Sequence, residues 1–171
     1  VIIDEPSNNS LKVLNEFHEK AKFIINKERV GKVNALNEAV KSSSGEILLF
    51  LDADVEVPDD ESFLEKILIE AEKADIIDIK KEVVKNSFLA RMTYYEYVSF
   101  NICSWLMDRF VKKSPAINGS AFAIKRSVFE KLNGFRRVVS EDLDLATRAF
   151  LNDYKFIYIN RVKVYNYVHS S

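Results

Sequence analysis

The sequence predicts an α/β domain: a mostly parallel central sheet with helices on both faces, and mixed strands in the C-terminal half. Short apolar runs at Val1–Ile3, Phe23–Ile25, Ile47–Leu51 and Ile76–Ile79 alternate with segments whose apolar residues recur every three or four positions. That strand–helix rhythm requires crossover connections, which lay successive strands parallel. Size and composition agree, since 171 residues at 47% hydrophobic and 30% charged are enough for one core and too apolar for disorder. Acids also gather where strands end, with Asp4 after the first run and Asp52 and Asp54 after the third. Open α/β sheets bind ligands along that edge.

The elements follow in order. Val1–Ile3 is a strand closed by Asp4-Glu5-Pro6, and Ser7 to Ser10 offer caps for a helix from Leu11 to about Ala21. Phe23–Ile25 is a second strand. Gly31-Lys32 opens a helix with Val33, Leu36 and Val40 as its apolar stripe, and the Ser42–Gly45 run stops it. Ile47–Leu51 is a buried strand leading to Asp52-Ala53-Asp54. Asp60–Lys73 is an amphipathic helix and Ile76–Ile79 a strand. Asn86 to about Lys112 is one long helical pattern crowded with aromatics, among them Tyr94, Tyr95, Tyr97, Trp105 and Phe110. Its apolar surface is too broad for one stripe, so it fits either a helix packed on several sides or one lying at a membrane boundary. Ser120–Ile124 is a strand, Ser127 caps a short helix ended by Gly134, Glu141 opens a helix through Leu151, and Phe156–Ile159 and Val162–Val168 close as strands. The whole reads as a single domain over 1–171, with halves at 1–80 and 81–171.

Several classes are disfavoured. A net charge of −1 gives no electrostatic footprint for nucleic acid. One cysteine, Cys103, leaves no internal disulfide, fits a reducing cytoplasmic compartment, and reads as a core residue of the long helix. No apolar run reaches the length of a membrane span and no signal peptide is evident. The chain opens abruptly on Val1-Ile2-Ile3 and reads as a piece of a longer one.

Two acidic centres carry the chemistry. In extended geometry Asp52 and Asp54 point the same way and can converge on a hard cation, Mg²⁺ or Mn²⁺, with positions left for phosphate. The same pair also fits the start of a polar turn before Pro58-Asp59-Asp60. Glu141-Asp142-Leu143-Asp144 stands at a helix start, where acids are favoured by the dipole; there one carboxylate can also take a proton from a hydroxyl. The P-loop and Gly-x-Ser-x-Gly motifs are absent, and His18 and His169 have no ligand-like spacing, with His18 read as a solvated helix residue. Asp52 and Asp54 after a hydrophobic strand also resemble a haloacid-dehalogenase phosphatase signature, with Asp52 as nucleophile.

Taken together, Gly31-Lys32-Val33-Asn34-Ala35-Leu36-Asn37, Gly45-Glu46, Leu51-Asp52-Ala53-Asp54, Asn118-Gly119-Ser120, Lys125-Arg126-Ser127, Gly134-Phe135 and Glu141-Asp142-Leu143-Asp144-Leu145 resemble the inverting family 2 glycosyltransferases, in family order over essentially the whole chain. Val1 to Ser7 is similar to that family's second strand and its Asp-Asp-x-Ser turn, with Glu5 in place of the commoner aspartate. The resemblance implies a GT-A, Rossmann-like fold, a nucleotide-diphosphate sugar donor and a saccharide or lipid-linked acceptor. It places Asp4, Glu5, Lys32, Asp52 and Gly119 around the donor, and the cation on Asp54 and Asp52. His169 is a further ligand candidate, because Asn166 stands where many relatives carry histidine. Asp142 would be the general base, with Glu141 beside it. The family normally begins with a strand and helix ahead of the segment matching Val1, and these have no counterpart here; a Gln-x-x-Arg-Trp signature is also absent or lies beyond Ser171. A non-catalytic module derived from that fold is therefore a further alternative. Residues 86–113 would supply peripheral contact with the cytoplasmic face of a membrane.

Overall fold

The computed structural model describes residues 1–84 and 88–167. Asn86, Val168 and His169 therefore lie outside the described residues. The described residues form, in chain order, β1 (Ile2–Asp4), α1 (Asn8–Phe17), β2 (Ile24–Asn26), α2 (Lys32–Lys41), β3 (Ile47–Leu51), β4 (Val55–Glu56), α3 (Phe63–Ala71), β5 (Ile76–Val83), α4 (Phe88–Leu106), β6 (Ala121–Lys125), α5 (Arg126–Lys131), α6 (Glu141–Leu151) and β7 (Phe156–Asn166). A π-helical turn, Met107–Val111, continues α4, and Lys112 closes it in the left-handed region at φ 61°.

Among the described residues the strands form two sheets, a parallel pair β1–β2 and a five-stranded sheet in the order β3-β6-β5-β7-β4. Within the larger sheet β5 and β7 pair parallel, while β6 runs antiparallel to both β3 and β5, and β4 antiparallel to β7. Thus β3, β5 and β7 run one way, and the mixed character comes from β6 and β4. Strand β6 explains the layering. Its Phe122 and Ile124 enter one core with Phe50, Phe129, Phe135 and Leu145, and its Ala121 and Ala123 enter a second with Phe63, Ile67, Ile79 and Val164. Alternate residues of a strand face opposite ways, so one strand serves both layers. Each large side chain so buried contributes about 1.5–3 kcal/mol.

Local chemistry adjusts several boundaries. Ser7 accepts from the Ser10 amide at 3.1 Å, so α1 starts at Asn8, earlier than its apolar stripe. Asp60 takes the Ser62 amide at 2.9 Å, and α3 begins only at Phe63. Lys125, not Ser127, is the N-cap of α5, because the Arg126 amide is tied to the Glu46 carbonyl at 2.8 Å. The last two expected strands are one, β7, which carries a register shift opposite Ile79/Lys80. Cys103 is exposed rather than in the core, because α4 turns that side away from the sheet. Among the described residues no helix is long and apolar enough to cross a membrane.

Candidate active site

Lys32, the first residue of α2, forms the centre of the site. Its ammonium lies 3.1 Å from an Asp52 carboxylate oxygen and 3.0 Å from a Glu141 carboxylate oxygen. Three elements therefore converge: α2, the loop after β3, and the start of α6. Partial burial pulls the Lys32 pKa down, but the hydrogen bond to Glu141 and the Asp52 charge outweigh it, and the net shift is upward.

The loop after β3 is fixed by its backbone. The Asp52 amide donates to the Ser120 carbonyl at 2.9 Å, the Val55 amide to the Asp52 carbonyl at 3.1 Å, and the Tyr167 amide to the Asp54 carbonyl at 3.1 Å. The Asp52 carboxylate is turned to Lys32. Asp54 lies close enough to Tyr97 for its charge to act on the phenol. Tyr97 is pushed upward, chiefly by burial, against the opposing hydrogen bonds to Ser120 and Asn118.

Asp142 is held from three directions. Its carboxylate accepts from the Gly119 amide at 2.8 Å, the Ser140 hydroxyl at 2.7 Å and the Leu143 amide at 2.8 Å. A Cβ on Gly119 would fall 2.6 Å from the Asp142 Oδ2, so the approach requires glycine. Asp142, Tyr97, Asn118 and Ser140 line a cavity of about 290 Å³.

Asp4 lies apart, on a groove of about 930 Å³ between β1 and β3 that also exposes Lys32 and Asp52. Its carboxylate accepts from the Val30 and Gly31 amides at 2.9 and 2.8 Å, and the Val30 bond, the largest influence, helps hold its pKa below the ordinary value. That grip shapes the loop feeding α2. Glu5 is exposed at φ 55° on the same rim.

The remaining motifs join one another. Asn37 donates to the Phe135 carbonyl at 3.0 Å and accepts from its amide at 3.1 Å, while a Cβ on Gly134 would meet the Asn37 oxygen at 2.7 Å. Arg126 donates to the Gly45 and Val40 carbonyls at 2.7 and 3.0 Å. Asp144, beside Asp142, instead binds Arg148 at 2.8 Å, and Arg148 donates to the Gly134 carbonyl at 2.9 Å.

Thus Lys32, Asp52, Glu141, Asp142 and Gly119 belong to one locality, Asp54 faces Tyr97 beside it, Asp4 and Glu5 flank the groove, and His169 lies outside the described residues. Sequence reasoning missed Tyr97 and Ser140. Ser140 had a signal, a serine directly ahead of an acidic helix start. Tyr97 had none, since several tyrosines of its helix share the same pattern.

Among the described residues no three His, Cys, Asp or Glu side chains form a metal cage. The expected extended geometry of Asp52 and Asp54 does not hold: the Val55 amide closes a turn on the Asp52 carbonyl at 3.1 Å, with Asp52 beside Lys32 and Asp54 toward Tyr97.

An α/β fold with acids gathered at strand ends, and a lysine spanning two of them, places a ligand-binding edge there, and known proteins narrow the class. Residues 1–133 match the family model for Glycosyl transferase family 2, and the chain belongs to that family. A poly-β-1,6-N-acetyl-D-glucosamine synthase of Staphylococcus epidermidis is 26% identical over 163 residues, covering 92% of this chain and 40% of that protein. The mannosyltransferase PcManGT of Pyrobaculum calidifontis, solved with GDP-Man and Mn²⁺, superposes with a TM-score of 0.72 at 21% identity, over 97% of this chain and 46% of that one. TarS 1–349 of S. aureus, solved with UDP-GlcNAc, gives 0.70 at 15% identity, over 100% and 49%. The fold is GT-A. The chain spans about 40% of the length of the curated relative it matches. Family membership sets the phosphatase alternative aside.

Proposed function

We propose that this chain is the catalytic domain of a glycosyltransferase that moves a sugar from a nucleotide-diphosphate donor to an acceptor hydroxyl with inversion. The observation that carries the reading is the Lys32 bridge, which brings Asp52 of the donor side and Glu141 of the acceptor side to one ammonium group. The ligands bound in the two solved neighbours, GDP-Man with Mn²⁺ and UDP-GlcNAc, support a nucleotide-sugar donor.

The acceptor hydroxyl enters the cavity at Asp142 and gives its proton to that carboxylate. Its oxygen forms the new bond to the anomeric carbon as the bond to the diphosphate oxygen breaks, and the electron pair leaves with the diphosphate. One displacement inverts the centre, and no side chain is needed as nucleophile. The Gly119, Ser140 and Leu143 donors fix the Asp142 carboxylate in orientation, which a proton acceptor needs. Asp54 and Asp52 would hold a divalent cation, Mg²⁺ or Mn²⁺, which when bound supplies charge stabilisation for the leaving diphosphate. Lys32 adds a further positive charge at the same edge. Asp4 keeps the Val30–Gly31 loop in place on the nucleotide side.

Membrane contact at the cytoplasmic face belongs to the same proposal. The outer side of α4 and the following turn expose Phe88, Met92, Tyr95, Ile102 and Phe110, with Arg109 and Lys112 at the end. Sedimentation with anionic vesicles, weakened by Phe110→Glu, tests it.

The central test is thermal stability with Mn²⁺ plus UDP or GDP, because a ligand that binds only the folded state raises it. Asp142→Asn should keep that shift and lower transfer by about 10²–10⁴-fold. Asp54→Ala should lose the shift itself. Equal loss of donor binding in both variants contradicts the separate roles.

A further inference from the structure

We infer that the groove between α4 and the sheet is a saccharide-binding groove that delivers an acceptor chain to Asp142, an inference that rests on the transferase reading above. The groove has a volume of about 730 Å³ and is lined by Tyr94, Tyr97, Trp105 and Tyr158, with Glu82 and Asn160 among its polar groups. Tyr97 also lines the smaller cavity that holds Asp142, so a single ring borders both spaces. A chain lying in the groove would reach the proton acceptor past that ring.

The lining fits sugar better than the alternatives. Aromatic faces carry negative charge density and pack against the polarised C–H groups of a pyranose, while a few polar groups set its orientation. A hydrocarbon chain would meet the wrong walls. Lys80 and Glu82, an ion pair at 2.9 Å, line the groove together with Lys81, which is itself paired with Asp78. An alkyl chain would strip water from these charges and return no hydrogen bonds, whereas sugar hydroxyls replace the lost water. A peptide strand finds no free edge at Lys81, because the Asn101 side chain accepts from its amide at 3.3 Å and donates to its carbonyl at 2.8 Å.

Trp105 is the chain's only tryptophan and is 45% exposed, so its emission reports on the groove. N-acetylglucosamine, glucose and mannose oligomers, from monomer to pentamer, are titrated without metal or nucleotide, with calorimetry as a second readout. The expected result is a saturable response to at least one series, tighter with length, weakened about fivefold to tenfold by Tyr94→Ala and restored by Tyr94→Phe. The Mn²⁺–nucleotide thermal shift should be unchanged in Tyr94→Ala, which also confirms that the variant folds. No saturable response from any series overturns the inference, as does a response to a dodecyl chain in place of sugar, or affinity unaffected by Tyr94→Ala. A missing nucleotide shift with sugar binding retained counts against the transferase reading and leaves the groove standing.

Discussion

Gly119 shows how little room the centre leaves. Its amide touches Asp142, and a methyl group there would sit 2.6 Å from the carboxylate oxygen. Gly119→Ala should therefore displace the proton acceptor and lower kcat by about 10²-fold, with donor affinity nearly unchanged. Steady-state kinetics beside the Mn²⁺–nucleotide thermal shift checks it. Lys81 illustrates a different economy. It and Asp78 are 2% and 1% exposed, they pair with each other, and Ser104 donates to Asp78 at 2.7 Å. Burial pulls the Lys81 pKa down while the Asp78 charge opposes that pull. Lys81→Met should cost about 3–5 kcal/mol in urea unfolding, since it leaves a buried carboxylate without a counter-charge, and adding Asp78→Asn should recover part of the loss. The sequence shows Asp52, Asp54 and Asp142 because acids at a strand end or helix start stand out. It hides the Asp78–Lys81 pair. Residues three apart in a regular strand face opposite ways, and the pairing of β5 with β7 is irregular between these two, at Ile79/Lys80.

Elements were legible where the pattern is local. Strand β3 runs from Ile47 to Leu51, as its apolar run indicates, and α6 from Glu141 to Leu151. Periodicity fails where tertiary contacts decide, as with the two-residue β4, which exists only because β7 lies beside it, and with the fusion of the last strands into β7. The start of α3 gives a test at this scale. Lys66 first, and then Ser62, hold the exposed Asp60 carboxyl down to about 2, against an ordinary 3.8. A carboxyl depressed in the folded state adds stability above the unfolded value and loses it as pH falls through the folded one. Asp60→Asn should therefore be less stable than the parent at pH 5 to 7, with the difference closing as pH falls from about 4 toward about 2. Urea midpoints across that range decide it, and a gap independent of pH would contradict it.

At the scale of the whole molecule, the α/β class was visible but the strand order was not. The pairing of β3 with β6 joins residues 70 to 78 positions apart (Ile47 lies opposite Lys125), and nothing in either strand names its neighbour. The sheet is also divided, with β1 and β2 pairing only with each other among the described residues. Their side chains are half-buried or exposed, whereas those of β5 and β6 are almost all buried. Hydrogen exchange should reflect this. Amides of Ile76–Ile79 and Ala121–Ile124 should exchange near the global unfolding limit, and those of Ile2–Asp4 and Ile24–Asn26 orders of magnitude faster. Uniform protection across both sheets would contradict it.

The clasp between Asn37 and Phe135 has one more consequence. Asn37 shares a helix with Lys32, and Phe135 packs against Phe50, on the strand that leads into Asp52. The distance from lysine to aspartate is thus gauged by a ring and an amide that never meet a substrate. Asn37 grips the Phe135 backbone, which every substitution at 135 keeps, while the ring acts on Phe50; drift at Asn37, remote from the chemistry, would therefore loosen the gauge, and drift at Phe135 would reset it through the strand.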